Sequence, residues 1–145
     1  MKLKIICTIA FLGLFVIEAN AQCRTFAKNT CETQLEGYML NGRMYGGFLT
    51  QGQEMDLVVV LNGGQTYRLV NCSKPTLGEI QIQLIDSDGN IVFNNVDHEM
   101  AQDWDFDVKS TQEFTIKTII PSPSKSQGSS ARDCSILLIG SKSSS

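Results

Sequence analysis

One histidine, one tryptophan and three prolines are all that 145 residues carry of those types, and the histidine shortage excludes most enzyme chemistry. His98 would have to serve any Ser/His or Cys/His mechanism. It sits in the polar connection Asn95-Val96-Asp97-His98-Glu99-Met100, where a solvent-exposed loop position is the plainer reading. No Gly-x-Ser-x-Gly elbow occurs, which removes the nucleophile signature of the α/β-hydrolases. No Cys-x-x-Cys pair occurs either, and cysteine spacings of 8, 41 and 62 residues from Cys23 to Cys134 do not cluster ligands as a zinc site does. Lys and Arg nowhere interleave with aromatics, so nucleic-acid recognition and an electrostatic membrane anchor are both disfavoured.

Long apolar runs are also scarce, and the longest has a particular shape. Lys2 and Lys4 precede an apolar run from Ile5 to Ile17, followed by Ala19-Asn20-Ala21 before Gln22-Cys23. The run is too short to span a bilayer comfortably, and small residues at -3 and -1 form a processing site. The expectation is a signal peptide over 1–21, cleaved between Ala21 and Gln22. Gln22 immediately before the cysteine argues against a lipid-attachment box. An extracytoplasmic protein follows, periplasmic or secreted, with no stable membrane anchor after cleavage.

Loss of Lys2, Lys4 and Glu18 takes the charge count from 12 basic and 15 acidic residues to 10 and 14. The remaining chain is the size of one domain with one core. Cys7 leaves with the leader, and Cys23, Cys31, Cys72 and Cys134 form an even set in an oxidising compartment, so two disulfides are expected. Three pairings are open; Cys23–Cys31 with Cys72–Cys134 is the favoured one. Its longer loop would be worth about 4 kcal/mol of chain entropy.

Residues 22–37 read as an N-terminal arm with a short helix, 38–140 as a β-sandwich domain, and 141–145 as a disordered tail. From Tyr38 onward the apolar period is two, and turn residues recur at the spacing of an all-β fold. Ile80, Ile82 and Leu84 alternate with Gln81 and Gln83; Trp104, Phe106 and Val108 with Asp103, Asp105 and Asp107; Phe114 and Ile116 with Glu113, Thr115 and Lys117. Two runs lack alternation, Leu57–Leu61 and Ile136–Ile139, and are expected to be covered on both faces, central or under the arm. Asn62-Gly63-Gly64 and Asp86-Ser87-Asp88-Gly89-Asn90 supply hairpin turns. Eight strands are counted, near Met44–Thr50, Met55–Leu61, Thr66–Cys72, Glu79–Asp86, Asn90–Phe93, Trp104–Val108, Glu113–Ile120 and Cys134–Ile139. That number suits a two-sheet antiparallel β-sandwich, jelly-roll-like. The stretch from Pro121 to Ser130 has nothing to dock in a core and reads as a surface loop.

The motifs Phe48-Leu49 with Gly52-Gln53, Leu61-Asn62-Gly63-Gly64-Gln65-Thr66-Tyr67-Arg68-Leu69, and Ile82 to Val92 with its acidic Gly-containing turn resemble those of the bacterial pre-peptidase C-terminal domain, over about Met44 to Ile139. The resemblance implies a secreted β-sandwich without catalysis, an accessory or binding module, some relatives of which bind calcium or matrix proteins.

Asp97, Glu99, Asp103, Asp105 and Asp107 form the densest carboxylate set, and three of them share one strand face; Asp86 and Asp88 make a second patch. Asp86, Asp88, Asp103, Asp105 and Asp107 are the candidate calcium ligands, because a hard cation would relieve their repulsion. The competing reading is a solvated face that resists aggregation. The segment 86–90 lacks the length and distal Glu of an EF-hand and is a hairpin turn first. Tyr38, Tyr45, Phe48 and Tyr67 are the aromatics available to stack on sugars, with Trp104 a core anchor.

The function expected is a secreted or periplasmic binding or accessory module that recognises a protein or glycan and performs no chemistry, with no cofactor beyond a candidate calcium. One alternative is a structural subunit of an envelope or secretion complex; another is a small hydrolase using the acidic cluster. A glycan binder would show aromatics exposed together, an assembly subunit an apolar patch or unprotected edge strand, and an enzyme a pocket of convergent carboxylates.

Overall fold

Strand β9, Arg132–Ser143, is the axis of the molecule, because its run Ile136-Leu137-Leu138-Ile139 is buried on both sides. Leu137 and Ile139 point into the space between two sheets, while Ile136 and Leu138 point the other way, under the N-terminal helical arm. The unalternating run predicted this double cover. The structure is a computed structural model that describes residues 21–143; residues 1–20 of the expected leader lie outside them.

Among the described residues, nine strands form two antiparallel sheets. In the first, β1 (Met39–Leu40) and β2 (Tyr45–Thr50) lie end to end along one side of β9, β4 (Gln65–Ser73) lies on its other side, and β7 (Asp103–Val108) closes the sheet. The second runs β3 (Glu54–Leu61), β8 (Gln112–Ile119), β5 (Gln81–Ile85), β6 (Ile91–Asn94). Counting β1 and β2 as one broken edge, two four-stranded sheets exchange strands at every connection but one, the β5–β6 hairpin. This is the eight-stranded jelly roll with two interlocked Greek keys. Leu61, Tyr67, Leu69, Ile82, Leu84 and Ile116 fill the inner core, and each comes from an alternating strand, as period two requires.

Strand β3 corrects the sequence reading. Leu57–Leu61 was expected to be covered on both faces, yet β3 is an edge strand, with Val58 57% and Val60 62% exposed. Met55, Leu57 and Val59 pack on the core, and alternate valines face water. β-branched residues suit an extended backbone whether or not it is buried, so an apolar run alone does not locate a strand within its sheet.

The arm is helical from residue 21: α-helical over 21–26, a π turn over Ala27–Cys31 and a 3-10 turn over Glu32–Leu35. Cys23, Ala27 and Cys31 recur every fourth residue and are all buried. That spacing drifts round an ordinary α-helix, and the wider π turn keeps Cys31 on the stripe. Glu36 in the left-handed region (φ 43°) and Gly37 (φ 88°) end the helix.

Both disulfides tie this arm to the first sheet. Cys23 joins Cys134 on β9 and Cys31 joins Cys72 on β4, with Cα separations of 5.4 and 5.6 Å. The favoured pairing is therefore overturned, and the helix explains why. Eight helical residues rise about 12 Å, too far for Cys23 to reach Cys31. The four cysteines form two rungs between a helix and a sheet. Gly140 makes the close fit possible, since a Cβ there would stand 2.7 Å from Tyr38 Cβ and 2.9 Å from Leu35 Cδ2.

Candidate functional site

Covering by the arm leaves exposed the outer face of the second sheet, the loop ends, the edge formed by β1/β2 and β3, and the edge where β6 and β7 face each other. The β6/β7 edge has the most varied chemistry. A cleft of about 230 Å³ opens there, with Phe93, Trp104, Phe106 and Phe114 along it and Asp86, Asp107 and Gln112 around it. Trp104 stacks on Phe93 with centroids 4.4 Å apart, and His98 lies 4.5 Å from Trp104 and 5.2 Å from Phe93. His98 is exposed, as expected, but its ring closes an aromatic cluster. Trp104 is half-buried against the core rather than its centre.

Asn95 holds that connection in place. It is fully buried, its Oδ1 accepts from Ile82 N–H at 2.8 Å, and its Nδ2 donates to the carbonyls of Ile80 and Ala101 at 2.9 and 3.1 Å. These bonds fix the 3-10 turn Asn95–His98 and the two left-handed residues after it, Glu99 and Met100, at φ 54° and 57°. A buried amide with three partners can sustain such a backbone.

The predicted calcium ligands do not converge. Asp86 folds back on its own turn, bonding the N–H of Asp88 and Asn90 through Oδ1 and the Asn90 side chain through Oδ2. The Asn90 N–H is the main reason its carboxyl lies below the usual range. Asp88 is exposed in the same turn. Asp105 binds Arg68 at 2.6 and 2.9 Å and accepts from Tyr38 Oη at 2.9 Å; Asp107 accepts from Thr66 at 2.6 Å; Asp103 is exposed. Among the described residues no group of three His, Cys, Asp or Glu is placed to hold a metal. Asp105 and Asp107 bond instead to β4 and the arm.

Arg68 is the hub of that network. It lies opposite Asp105 in the β4–β7 register, also reaches Glu36 Oε2 at 3.3 Å, and stacks over the Tyr38 ring at 4.7 Å. The Asp105 hydrogen bond raises the arginine well above its ordinary value and holds the aspartate below its own. The aromatics once available for sugar stacking are largely enclosed. Tyr67 and Tyr38 are buried, Tyr45 and Phe48 half-buried, and every exposed large hydrophobic among the described residues is aliphatic.

One signal was readable but missed. Residues 79–108, which build β5, β6 and β7, contain eight Asp or Glu and no Lys or Arg. The rest of the chain after Ala21 therefore has six acidic residues against ten basic ones. Charge is segregated to one side, and the sandwich brings Asp86, Asp88, Asp97, Glu99, Asp103 and Asp107 to the side with the aromatic cleft. A running charge count would have found it.

No protein-family model matches the chain, and no curated protein matches it in sequence. Among solved structures, it is similar to PliG of Aeromonas hydrophila, a periplasmic lysozyme inhibitor of g-type lysozyme. The TM-score is 0.53 at 11% identity, over 74% of this chain and 90% of that one. The likeness is one of fold.

Proposed function

We propose that this protein is an exported, non-catalytic binding module that docks on another exported protein, and that its partner is a basic cell-wall-cleaving enzyme of the g-type lysozyme class. The acidic β6/β7 edge carries this reading. A one-signed surface beside an aromatic cleft steers a basic partner to itself and then offers it apolar contact. Two disulfides that staple the arm to the first sheet, and a rigid jelly roll, suit a module that presents a preformed surface outside the cytoplasm. Sharing a fold with a periplasmic lysozyme inhibitor supports the same reading. A glycan-binding role has less support, because no aromatic platform is exposed, and a hydrolase role has less still, because the carboxylates are dispersed and hydrogen-bonded.

The test is the rate at which g-type lysozyme clears a cell-wall suspension, with and without this protein. The expected result is a dose-dependent fall in rate that weakens when Asp97, Asp103 and Asp107 are replaced by Asn together. Undiminished clearance at saturating protein would remove lysozyme as the partner class.

A further inference from the structure

A two-sheet sandwich has four edge strands, and in this protein three of them are closed to pairing. The β1/β2 edge is broken by residues 41–44 and carries Gly46 at φ 99°. Strand β6 is four residues long and its pairing with β5 shifts register between Leu84 and Ile85. Strand β7 has aspartate at every second position. Shortness, irregularity and charge are the devices by which sheet proteins prevent unwanted edge association. Strand β3 has none of them along its second half.

β3 pairs with β8 over eight consecutive residues without a register shift. Its sequence Glu54-Met55-Asp56-Leu57-Val58-Val59-Val60-Leu61 holds no Gly, Pro or Lys, and its charges are confined to the start. The Ile120 N–H donates to the Gln53 carbonyl at 2.9 Å. By the alternation of an antiparallel ladder, the odd-numbered residues turn their peptide groups to β8 and Asp56, Val58 and Val60 turn theirs outward. The same residues put their side chains on the outer sheet face. There Val58 continues through Thr115 and Ile85 to Ile91 as one row across all four strands.

We propose that β3 is a homodimer interface, in which two copies pair antiparallel about a two-fold axis at Val59 to make one continuous eight-stranded sheet. This register sets Val58 opposite Val60 of the second copy, twice, giving four backbone hydrogen bonds. It sets Asp56 opposite Asn62, so no carboxylate meets another across the axis. The register favours a second copy, since it sets the apolar pair Val58/Val60 against the same pair and holds the acidic starts of the two strands at opposite ends of the contact. β3 and β6 are opposite edges of their sheet, so the dimer leaves an acidic cleft free at each end. The inference does not rest on the partner proposed above.

Light scattering on the eluting protein tests it, together with amide exchange. The expected mass is twice that of the monomer, with Val58 and Val60 amides protected more as concentration rises. Val60→Pro removes an outward N–H that β8 does not use, and a proline there is compatible with an edge strand; it should give a monomer with an unchanged far-ultraviolet spectrum. Val58→Lys should do the same by placing a charge on the contact. A monomer mass at every concentration up to about 0.5 mM, where even weak dimers populate, overturns the proposal. So does a dimer that survives both substitutions, or one whose protection lies outside β3.

Discussion

Arg68 and Asp105 face each other across β4 and β7 in register, joined by two hydrogen bonds of 2.6 and 2.9 Å, with Tyr38 donating a third bond to the same carboxylate. The arm and the sheet edge thus share one charge network. Asp105 is held below its ordinary value chiefly by Arg68, so its contribution is present above the usual carboxylate pKa near about 4 and lost as pH falls through the lower folded value. Asp105→Asn should lower the melting temperature at neutral pH and flatten its decline in acid. Melting curves from neutral to strongly acidic pH check this; parallel curves for variant and wild type would show that the pair does not couple to folding.

The two staples should differ in weight. Cys23–Cys134 closes 111 residues and Cys31–Cys72 closes 41, worth about 5 and about 4 kcal/mol by chain entropy. Cys23→Ser with Cys134→Ser should therefore destabilise at least as much as Cys31→Ser with Cys72→Ser, by denaturant titration. Peptide mapping without reduction should recover these two linkages and no peptide joining Cys23 to Cys31.

Gly140 is where β9 meets the arm with no room for a side chain. Gly140→Val forces Leu35 and Tyr38 outward and should cost about 1–3 kcal/mol, the range for overpacking. Amide exchange should localise the loosening to residues 23–38 and spare β3 and β8.

Asn95 bridges β5 to the segment that carries His98. Asn95→Ala leaves the Ile82 N–H and the Ile80 and Ala101 carbonyls to lose a partner each, and should cost about 2–3 kcal/mol. Emission of Trp104, the sole tryptophan, should shift to the red as the ring stack loosens, and an unshifted spectrum would mean the stack stands without Asn95.

Much of this architecture was legible beforehand. Period-two segments such as Ile80–Leu84 and Trp104–Val108 became strands with the anticipated faces inward, because alternation records burial directly. Double cover holds for Ile136–Ile139 and fails for Leu57–Leu61, since both runs are wholly aliphatic and only sheet order separates them. The disulfides were mispaired because the arm's helix was read too weakly to forbid a Cys23–Cys31 bridge. Of the candidate site, the carboxylates were seen but assigned to a cation. Their partners Arg68, Tyr38 and Thr66 lie 37 to 67 residues away in sequence, and no local pattern announces such bonds.

The expected leader makes its own prediction. Mass spectrometry of the protein from its native host should find Gln22 as the first residue.

Calorimetric titration of g-type lysozyme with this protein at low and high salt tests the central claim most directly. A basic partner on an acidic edge should bind with one site per chain, weaken as salt screens the attraction over about 10 Å or less, and lose affinity on combined Asp97→Asn, Asp103→Asn and Asp107→Asn substitution. No heat of binding at low salt, or binding indifferent to both salt and those substitutions, would contradict it.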